Sequence, residues 1–300
     1  MRALTPVLDC LVIGGGPAGL TAALYLARFR RNALVIDEGK SRAAKIPKSH
    51  NHPGFVGISG NALLERMRKQ AHAYGVRIQR GRVQTLSRKD GTFVASIAGR
   101  LVRASRVLLA TGITDTAPHF PQIRSAVARA AVRYCPVCDG FEAMDKSLAV
   151  YGPLAQAANK ALFVRSYTTA VTILSTGGSL GRDAREALNH SAIRTIPAGG
   201  AEFSSSDRGI RVKLESGEVL DFDVLYPALG CAVHSDLGQA LGAKVTRLRL
   251  LKVNSRQETS VKGLYAAGDA VSDLHQLSVG EAHAAIAAMA IHNSLPRNFR

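Results

Sequence analysis

The segment CLVIGGGPAGLTAALYLARF, close to the start of the chain, constrains the fold more than any other feature of the sequence. Residues 10–13 form a short apolar run that predicts a buried strand. After the three glycines, apolar residues recur at helical spacing over residues 20–27 and predict a helix. A strand, a Gly-x-Gly-x-x-Gly turn and a helix in this order are the setting in which such a turn binds a nucleotide pyrophosphate. The segment therefore predicts an α/β fold with a nucleotide site near its N-terminus.

The turn itself contains five candidate nucleotide-binding residues. Gly14 permits the tight turn, Gly16 lets a pyrophosphate approach the backbone, and Gly19 lets the helix pack closely on the strand. Pro17 and Ala18 lie at the start of the helix, where the N-terminal N–H groups supply partial positive charge. A glycine-rich turn also occurs in folds that bind no nucleotide, so the prediction needs a second segment.

A second apolar run, NALVIDEG, provides that support. It predicts another strand, which ends at Asp37, 18 residues after Gly19. A carboxylate at this position can accept hydrogen bonds from both hydroxyls of an adenosine ribose. Glu38 is the neighbouring candidate, although Asp37 has the better position at the end of the strand. Strand, turn, helix and acid together favour a nucleotide-binding domain.

Four segments in order resemble the low-molecular-weight thioredoxin reductase family, which is class II of the FAD-dependent pyridine nucleotide-disulfide oxidoreductases. They are the glycine turn with Asp37, LLATG (residues 108–112), CPVCDG (135–140) and GLYAAGDA (263–270). The similarity extends over nearly the whole chain. It implies an α/β fold of two Rossmann-like three-layer domains. A discontinuous FAD-binding domain (1–114 and 228–300) would enclose an inserted NAD(P)-type domain (118–225) that carries the cysteines.

The same resemblance implies which further residues contact FAD. In the family, the Asp of the Gly-Asp pair contacts the ribityl and phosphate region, and an Asn-aromatic-Pro-Gly segment lies beside the isoalloxazine ring. One position lies near the adenine, and an Arg-Gln-Ala run starts the last helix. Here the Arg of that run is missing and the alignment shifts by one residue. The matching candidates are Asn51, Val83, Gly112, Gly268, Asp269 and Gln276.

Cys135 and Cys138 form a Cys-x-x-Cys pair, which can bind zinc, close a static disulfide or cycle between dithiol and disulfide. A structural zinc needs four ligands, and Cys10 and Cys231 are isolated in apolar runs, so we predict no metal. A redox couple is favoured, and the resemblance assigns Cys138 to the flavin side and Cys135 to the substrate side. Asp139 fits a proton carrier with a raised pKa, or alternatively a turn cap.

The predicted inserted domain lacks the residues that hold NADPH in the family. SLAVYGPLAQAANKALFVRSY reads as a strand, a turn and a helix, and AVTILST reads as the next strand. However, Leu154 replaces the glycine that lets a pyrophosphate reach the backbone. The family's His-Arg-Arg after the next strand, which binds the 2′-phosphate, is replaced by Ser-Thr-Gly-Gly at residues 175–178. NADPH use is therefore doubtful.

Three enzymatic routes for the electrons stay open. The protein could reduce a disulfide, of a thioredoxin-like protein or a small molecule, with electrons from a donor such as ferredoxin. It could instead oxidise a dithiol with oxygen, as gliotoxin-type dithiol oxidases do, or bind NAD(P)H weakly in a changed mode. A non-catalytic FAD-bound redox sensor or scaffold is the fourth interpretation. His50 or His52 would be a base in the oxidase route.

Composition and charge bound the partners. The chain has 39 Lys and Arg against 22 Asp and Glu, a net charge of +17 that favours an acidic partner such as ferredoxin. Aromatic residues are few and Trp is absent, so a stacking platform for nucleic acid is not expected. No run reaches the length of a membrane span, and we expect a cytoplasmic protein without a membrane partner. Homodimerisation is expected from the resemblance.

Overall fold

Strands and helices alternate along residues 7–299, the part of the chain that the computed structural model describes. The strands are β1 (Leu8–Ile13), β2 (Ala33–Asp37), β3 (Arg77–Arg80), β4 (Val83–Lys89), β5 (Thr92–Ile97), β6 (Arg100–Leu109), β7 (Ile113–Asp115), β8 (Leu148–Gly152), β9 (Val171–Ser175), β10 (Arg194–Pro197), β11 (Glu202–Ser205), β12 (Ile210–Lys213), β13 (Val219–Phe222), β14 (Val224–Pro227), β15 (Cys231–Val233) and β16 (Leu264–Ala266). The α-helices are α1 (Pro17–Arg28), α2 (Gly60–Ala73), α3 (Ile123–Ala128), α4 (Pro136–Asp139), α5 (Leu154–Val164), α6 (Arg182–Ser191), α7 (Asp236–Ala240) and α8 (Leu277–Asn293), and the 3₁₀ helices are Arg42–Lys45, Phe141–Ala143 and Gly268–Ala270.

The first apolar run becomes β1, which lies inside a seven-stranded sheet. The order is β3-β2-β1-β6-β5-β4, and β16 pairs with the C-terminal part of β6. Cys10 and Val12 face one side of the sheet, while Leu11 and Ile13 face the other, and all four are buried. Successive side chains of a strand point to opposite faces, so a continuous apolar run fits a strand covered on both faces.

Small side chains let two helices cover one face of this large sheet. Helix α1 packs along α8, and the contact consists largely of alanines such as Ala22, Ala23, Ala284 and Ala288. Helix α8 spans 17 residues, from Leu277 to Asn293. On the opposite face, the antiparallel strands β4, β5 and β6 add apolar side chains such as Phe93.

A second, smaller sheet is inserted between the parts of the first. Its four parallel strands have the order β10-β9-β8-β14 and draw on residues 148–227. Helix α5 covers one face, and the three-stranded sheet β11-β12-β13 with α3 covers the other. The predicted α/β class with two Rossmann-like three-layer units is confirmed. The boundaries 1–114, 118–225 and 228–300 stay a prediction.

The chain passes twice between the two sheets, and the two crossings pair with each other. Strands β7 and β15 form a short antiparallel ribbon that joins Asp115 to Cys231 and Ile113 to Val233. Residues 113–115 and 231–233, which lie at these crossings, are therefore extended and hydrogen-bonded to each other. Cys231, predicted in an apolar run, is exposed here, while Cys10 is fully buried. No helix within residues 7–299 is long and apolar enough to span a membrane.

We predict that two leucine substitutions in the same strand differ in their effect on the free energy of unfolding, because one leucine is buried and the other is exposed. Leu108→Ala empties a site in β6 that is fully buried under α1 and α8, and it should lower the free energy of unfolding by about 2–5 kcal/mol. Leu101→Ala, in the same strand at 60% exposure, should change it by less than about 0.5 kcal/mol. Urea denaturation measures both, and equal effects would contradict this packing.

Candidate active site

One cavity of about 600 Å³ gathers nearly all the residues that the sequence singled out. It lies at the C-terminal ends of the parallel strands of the large sheet, where open α/β sheets place ligands, and the loop that carries the two cysteines also lines it. The predicted residues in its lining are Gly14, Gly16, Pro17, Ala18, Asp37, Glu38, Asn51, Val83, Gly112, Cys135, Cys138, Asp139, Gly268, Asp269 and Gln276. Gly19 lies behind the lining.

At two positions of the turn, steric contacts require glycine. Gly14 has φ +112°, and a Cβ atom there would collide with the carbonyl oxygen of Ala110. A Cβ atom on Gly19 would collide with the carbonyl oxygen of Gly14, so only glycine lets α1 approach β1 this closely. Gly16 precedes α1 as its N-cap, and no acidic residue follows in the first turn. The helix N-terminus therefore faces the cavity with its positive end uncompensated.

Asp37 ends β2 at the edge of the cavity, as the sequence predicted. Its Oδ1 atom accepts a hydrogen bond from the Gly39 N–H at 2.8 Å, and its Oδ2 atom contacts the Arg68 guanidinium at 3.2 Å. Glu38 also lines the cavity, and its carboxylate accepts a hydrogen bond from Lys40 at 2.6 Å. The role of Asp37 as the ribose-binding carboxylate stays a prediction. Arg68 was not found by sequence reasoning.

The cysteines form a disulfide whose Cα atoms are 5.3 Å apart, at the start of the short helix α4. The Gln276 side-chain nitrogen donates to the sulfur of Cys138 at 3.3 Å and to that of Cys135 at 3.4 Å. Asn51 donates in turn to the Gln276 side-chain oxygen at 2.9 Å. A chain of hydrogen bonds therefore links the Asn51 loop, the N-terminus of α8 and the disulfide.

Asp139 lies beside the disulfide in a mostly buried polar cluster. The hydroxyl of Tyr226 donates to Asp139 Oδ1 at 2.9 Å, and the guanidinium of Arg133 donates to the Asp139 backbone carbonyl at 2.7 Å. Burial raises the pKa of Asp139 to about 6, although the charge of Arg133 and the Tyr226 hydrogen bond act in the opposite direction. This is the raised pKa that a proton carrier near neutral pH requires. Neither Tyr226 nor Arg133 belongs to a motif, so the sequence did not reveal them.

A second polar cluster lies around Asp269. Arg42, which sequence reasoning also missed, makes two hydrogen bonds of 2.8 Å to Asp115 and approaches Asp269 at 3.5 Å. Burial raises the pKa of Asp269 above its ordinary range. His275 lines the same cavity, and its buried Nε2 atom has no hydrogen-bond partner among the described residues. An unpartnered buried polar atom needs a ligand or solvent partner.

These observations fit FAD. The glycine turn and the N-terminus of α1 would hold the pyrophosphate, Asp37 would hold the ribose, and Val83 would lie near the adenine. Asn51 and Gln276 would border the ring next to the disulfide. When bound, FAD supplies a two-electron acceptor and donor that protein side chains lack. These residue roles stay a proposal.

The two loop histidines are engaged in other contacts. His50 Nδ1 lies 3.0 Å from the carbonyl oxygen of Val56 and 4.0 Å from Glu142. His52 Nε2 lies 3.1 Å from Glu281. Neither ring is hydrogen-bonded to a sulfur atom of the disulfide. The structure thus gives a structural reason for each histidine and leaves its role as a base an untested hypothesis.

The inserted segment has the strand–turn–helix of a nucleotide site but a closed turn. Strand β8 ends at Gly152 and α5 starts at Leu154, as the sequence predicted. The backbone N–H of Leu154 donates to the carbonyl oxygen of Gly177 at 2.9 Å. Gly177 and Gly178 both have positive φ, which lets the loop after β9 bend over the start of α5. The first N–H of the helix is therefore already used by the protein itself.

The sequence of residues 8–288 matches the family described as pyridine nucleotide-disulphide oxidoreductase. The chain belongs to this family. Thioredoxin reductase of Aquifex aeolicus (strain VF5) is 31% identical over 310 residues, which cover 96% of this chain and 94% of the relative. A 34.2 kDa protein in the rubredoxin operon of Clostridium pasteurianum is 26% identical over 302 residues, which cover 94% and 95%.

A solved structure extends the likeness to the relative placement of the two sheets. The crystal structure of HlmI is 28% identical and superposes with a TM-score of 0.89, covering 96% of this chain and 92% of HlmI. Family, relatives and fold together show that this member is a thioredoxin reductase-like flavoprotein, an FAD-dependent disulfide oxidoreductase. They leave its electron donor and its substrate open.

We predict that the charge of Asp139 destabilises the folded protein at neutral pH. Its folded pKa of about 6 exceeds the ordinary value of 3.8, so ionisation is less favourable in the folded state. Stability relative to an uncharged variant should therefore fall as the pH rises from 4 to 6 and stay lower above that. Asp139→Asn keeps an acceptor for Tyr226 and should gain about 2 kcal/mol at pH 8 and nothing at pH 4.

Urea denaturation at the two pH values measures this difference. Asp145→Asn, which replaces an exposed acid six residues further on, is the matched control for removal of a carboxyl charge. An equal effect of Asp139→Asn at pH 4 and pH 8 would mean that the carboxyl has an ordinary pKa.

Proposed function

We propose that the protein transfers electrons between FAD and an external disulfide or dithiol through the Cys135–Cys138 pair, without ordinary use of NADPH. The observation that carries this proposal is the closed turn of the inserted segment. Leu154 stands where the family has a glycine, and its backbone N–H is committed to Gly177. A pyrophosphate would need both that space and that donor.

The loop after β9 supports the same conclusion. A 2′-phosphate is held by guanidinium groups, but residues 175–178 here are Ser, Thr, Gly and Gly. The next arginine, Arg182, is the first residue of α6, and Arg185 one turn later donates to the Leu180 carbonyl. The glycines that replace the arginines are also the residues that close the turn. The two losses therefore describe one structural change.

The cysteine loop supports thiol–disulfide exchange at the cavity. Cys138 would exchange electrons with the flavin and Cys135 with the substrate, as the family resemblance implies. Val137 and Phe141 beside the pair are exposed. An exposed apolar surface next to the disulfide suits a thioredoxin-like protein or an apolar dithiol. Asp139 would accept the proton of the substrate thiol.

The electron donor is proposed from charge. A net charge of +17 attracts acidic proteins and speeds their association at low ionic strength. One relative is described as a 34.2 kDa protein in a rubredoxin operon, which supports an electron donor other than NADPH. We therefore propose an acidic ferredoxin-like donor and, from the family likeness, a homodimer in the cytoplasm.

A comparison of reductants tests the proposal. The purified protein should be yellow, and under anaerobic conditions reduced ferredoxin or dithiothreitol should bleach the flavin band rapidly in a stopped-flow instrument. NADPH at micromolar concentration should bleach it at least 100-fold more slowly, because Leu154 and Gly177 block its pyrophosphate. Absence of a flavin band, or rapid bleaching by NADPH, would refute the proposal.

Mixing the dithiol-reduced protein with air separates two directions of electron flow. Slow reoxidation by oxygen together with rapid reduction of a protein disulfide supports the reductase direction. Rapid reoxidation by oxygen with catalytic consumption of a dithiol would replace it by a dithiol oxidase.

The roles of the two sulfur atoms give a further prediction. Cys138→Ser should abolish bleaching of the flavin by dithiothreitol, since the sulfur next to the cofactor is lost. Cys231→Ser removes an exposed thiol outside the disulfide and should leave the rate unchanged. Full dithiol-dependent bleaching in Cys138→Ser would overturn the assignment.

A further inference from the structure

Tyr226 is a buried tyrosine whose hydroxyl group meets the carboxylate next to the disulfide. The residue lies in β14, is inaccessible to solvent, and donates to Asp139 Oδ1 at 2.9 Å. Its backbone pairs with Val150 of β8, and the adjoining Leu225 bridges to Val132 on the other side. A buried phenol needs a hydrogen-bond partner, and a strand paired on both edges holds its position.

Four other groups act on the Asp139 carboxyl from the elements packed around it. Arg133 precedes the disulfide, Glu142 follows it, Lys160 reaches in from α5, and Tyr226 comes from β14. Burial and Glu142 raise the pKa of Asp139, whereas Arg133, Tyr226 and Lys160 lower it. Of the groups that lower it, Arg133 and Lys160 act through their charge and Tyr226 acts through a hydrogen bond.

The two cations are committed to backbone carbonyls. Lys160 donates to the carbonyls of Tyr134 and Pro227 at 3.0 and 2.6 Å. Arg133 donates to the carbonyls of Ala130 and Asp139 at 2.9 and 2.7 Å. Among the described residues, Tyr226 is thus the one side chain that donates a hydrogen bond to the carboxylate oxygens of Asp139. It does so at Oδ1 and leaves Oδ2 for a proton.

We propose that Tyr226 is a positioning residue that orients the Asp139 carboxylate and favours its ionised form, and so sets the pH at which Asp139 accepts the proton of an incoming thiol. The inference rests on the proton-carrier role proposed above for Asp139. A hydrogen bond donated to a carboxylate stabilises the charged form. Burial and the neighbouring carboxylate raise the pKa of Tyr226 itself far above neutrality, so its hydroxyl stays a donor throughout.

The step that Tyr226 would govern can be written with all atoms and electrons. A dithiol gives one proton to Asp139 Oδ2, and its sulfur bonds to Cys135 while the bond between Cys135 and Cys138 breaks. Cys138 keeps the electron pair as a thiolate. The second thiol releases its proton to water and displaces Cys135, which takes the proton from Asp139. The dithiol leaves as a disulfide, and the protein has gained two electrons and one proton.

Tyr226→Phe removes the hydroxyl and keeps the ring, so it tests the inference directly. The substitution should raise the pH midpoint of Asp139 protonation from about 6 by about one pH unit. Infrared difference titration of the carboxyl band measures this midpoint, with the Asp139→Asn protein as the blank. Dithiothreitol reduces the disulfide, and quenching with an alkylating agent follows the rate, which is expressed per dithiothreitol thiolate. The inflexion in the plot of this rate against pH should shift by the same amount. Neither measurement requires flavin chemistry.

Tyr151→Phe is the matched control. Tyr151 lies on the neighbouring strand β8, packs against Phe203 at 4.7 Å between ring centres, and makes no hydrogen bond through its hydroxyl with the described residues. The Tyr151→Phe substitution should leave the pH midpoint of Asp139 protonation unchanged. As a second variant, 3-fluorotyrosine at position 226 keeps the hydrogen bond with a more acidic hydroxyl. It should lower the midpoint, opposite in sign to Tyr226→Phe.

The outcomes separate this inference from the proposed function. An Asp139 midpoint that is the same in Tyr226→Phe, in 3-fluorotyrosine protein and in wild type would overturn the inference. If Asp139→Asn leaves the exchange rate at every pH unchanged, the proton-carrier role fails, and the carboxyl titration still decides the part played by Tyr226. In the Asp139→Asn background, Tyr226→Phe should cause no further change in the rate profile.

Discussion

The hydrogen bonds from Gln276 to both sulfur atoms are the contact on which the arrangement of the site depends. Gln276 directly precedes α8, which packs on the large sheet, while Cys135 and Cys138 belong to the segment inserted between the strands of that sheet. Asn51 completes the link from a third part of the chain. Through these contacts, the disulfide lies against the cavity that the glycine turn begins. A cofactor held by the large sheet is thereby brought next to sulfur atoms held by the inserted segment.

Buried charge is distributed unevenly around this contact. Asp139 is held by a neutral donor, Tyr226, while Lys160 and Arg133 are tied to carbonyl groups. Burial lowers the pKa of Lys160 to about 8 and raises that of Asp139 to about 6, so both titrate closer to neutrality than they would in water. Groups of this kind cost stability and are typical of sites that move protons. Arg42 and Asp115, which also line the cavity, compensate each other in a bidentate pair.

Local patterns predicted much of the fold. The apolar run of β1 and the helical spacing after the glycine turn have the periodicities that a strand and a helix require, and both elements appear where the sequence placed them. Strands β7 and β15 were not predicted, since three-residue strands have no periodicity of their own. They exist because Asp115 and Cys231 meet across a ribbon of two distant segments.

Taken by itself, the sequence determined the chemistry that is available: a nucleotide turn, an acid at the end of β2, a Cys-x-x-Cys-Asp run, and the loss of a glycine and of two arginines in the inserted segment. Each of these features depends on residues that are close together in the sequence, so it can be recognised without the structure. Only the tertiary structure decided which side chains act on that chemistry. Tyr226, Lys160 and Arg42 reach the site from positions 87, 21 and 97 residues away from Asp139 along the chain. Their proximity comes from sheet pairing and helix packing, and no spacing in the sequence encodes it.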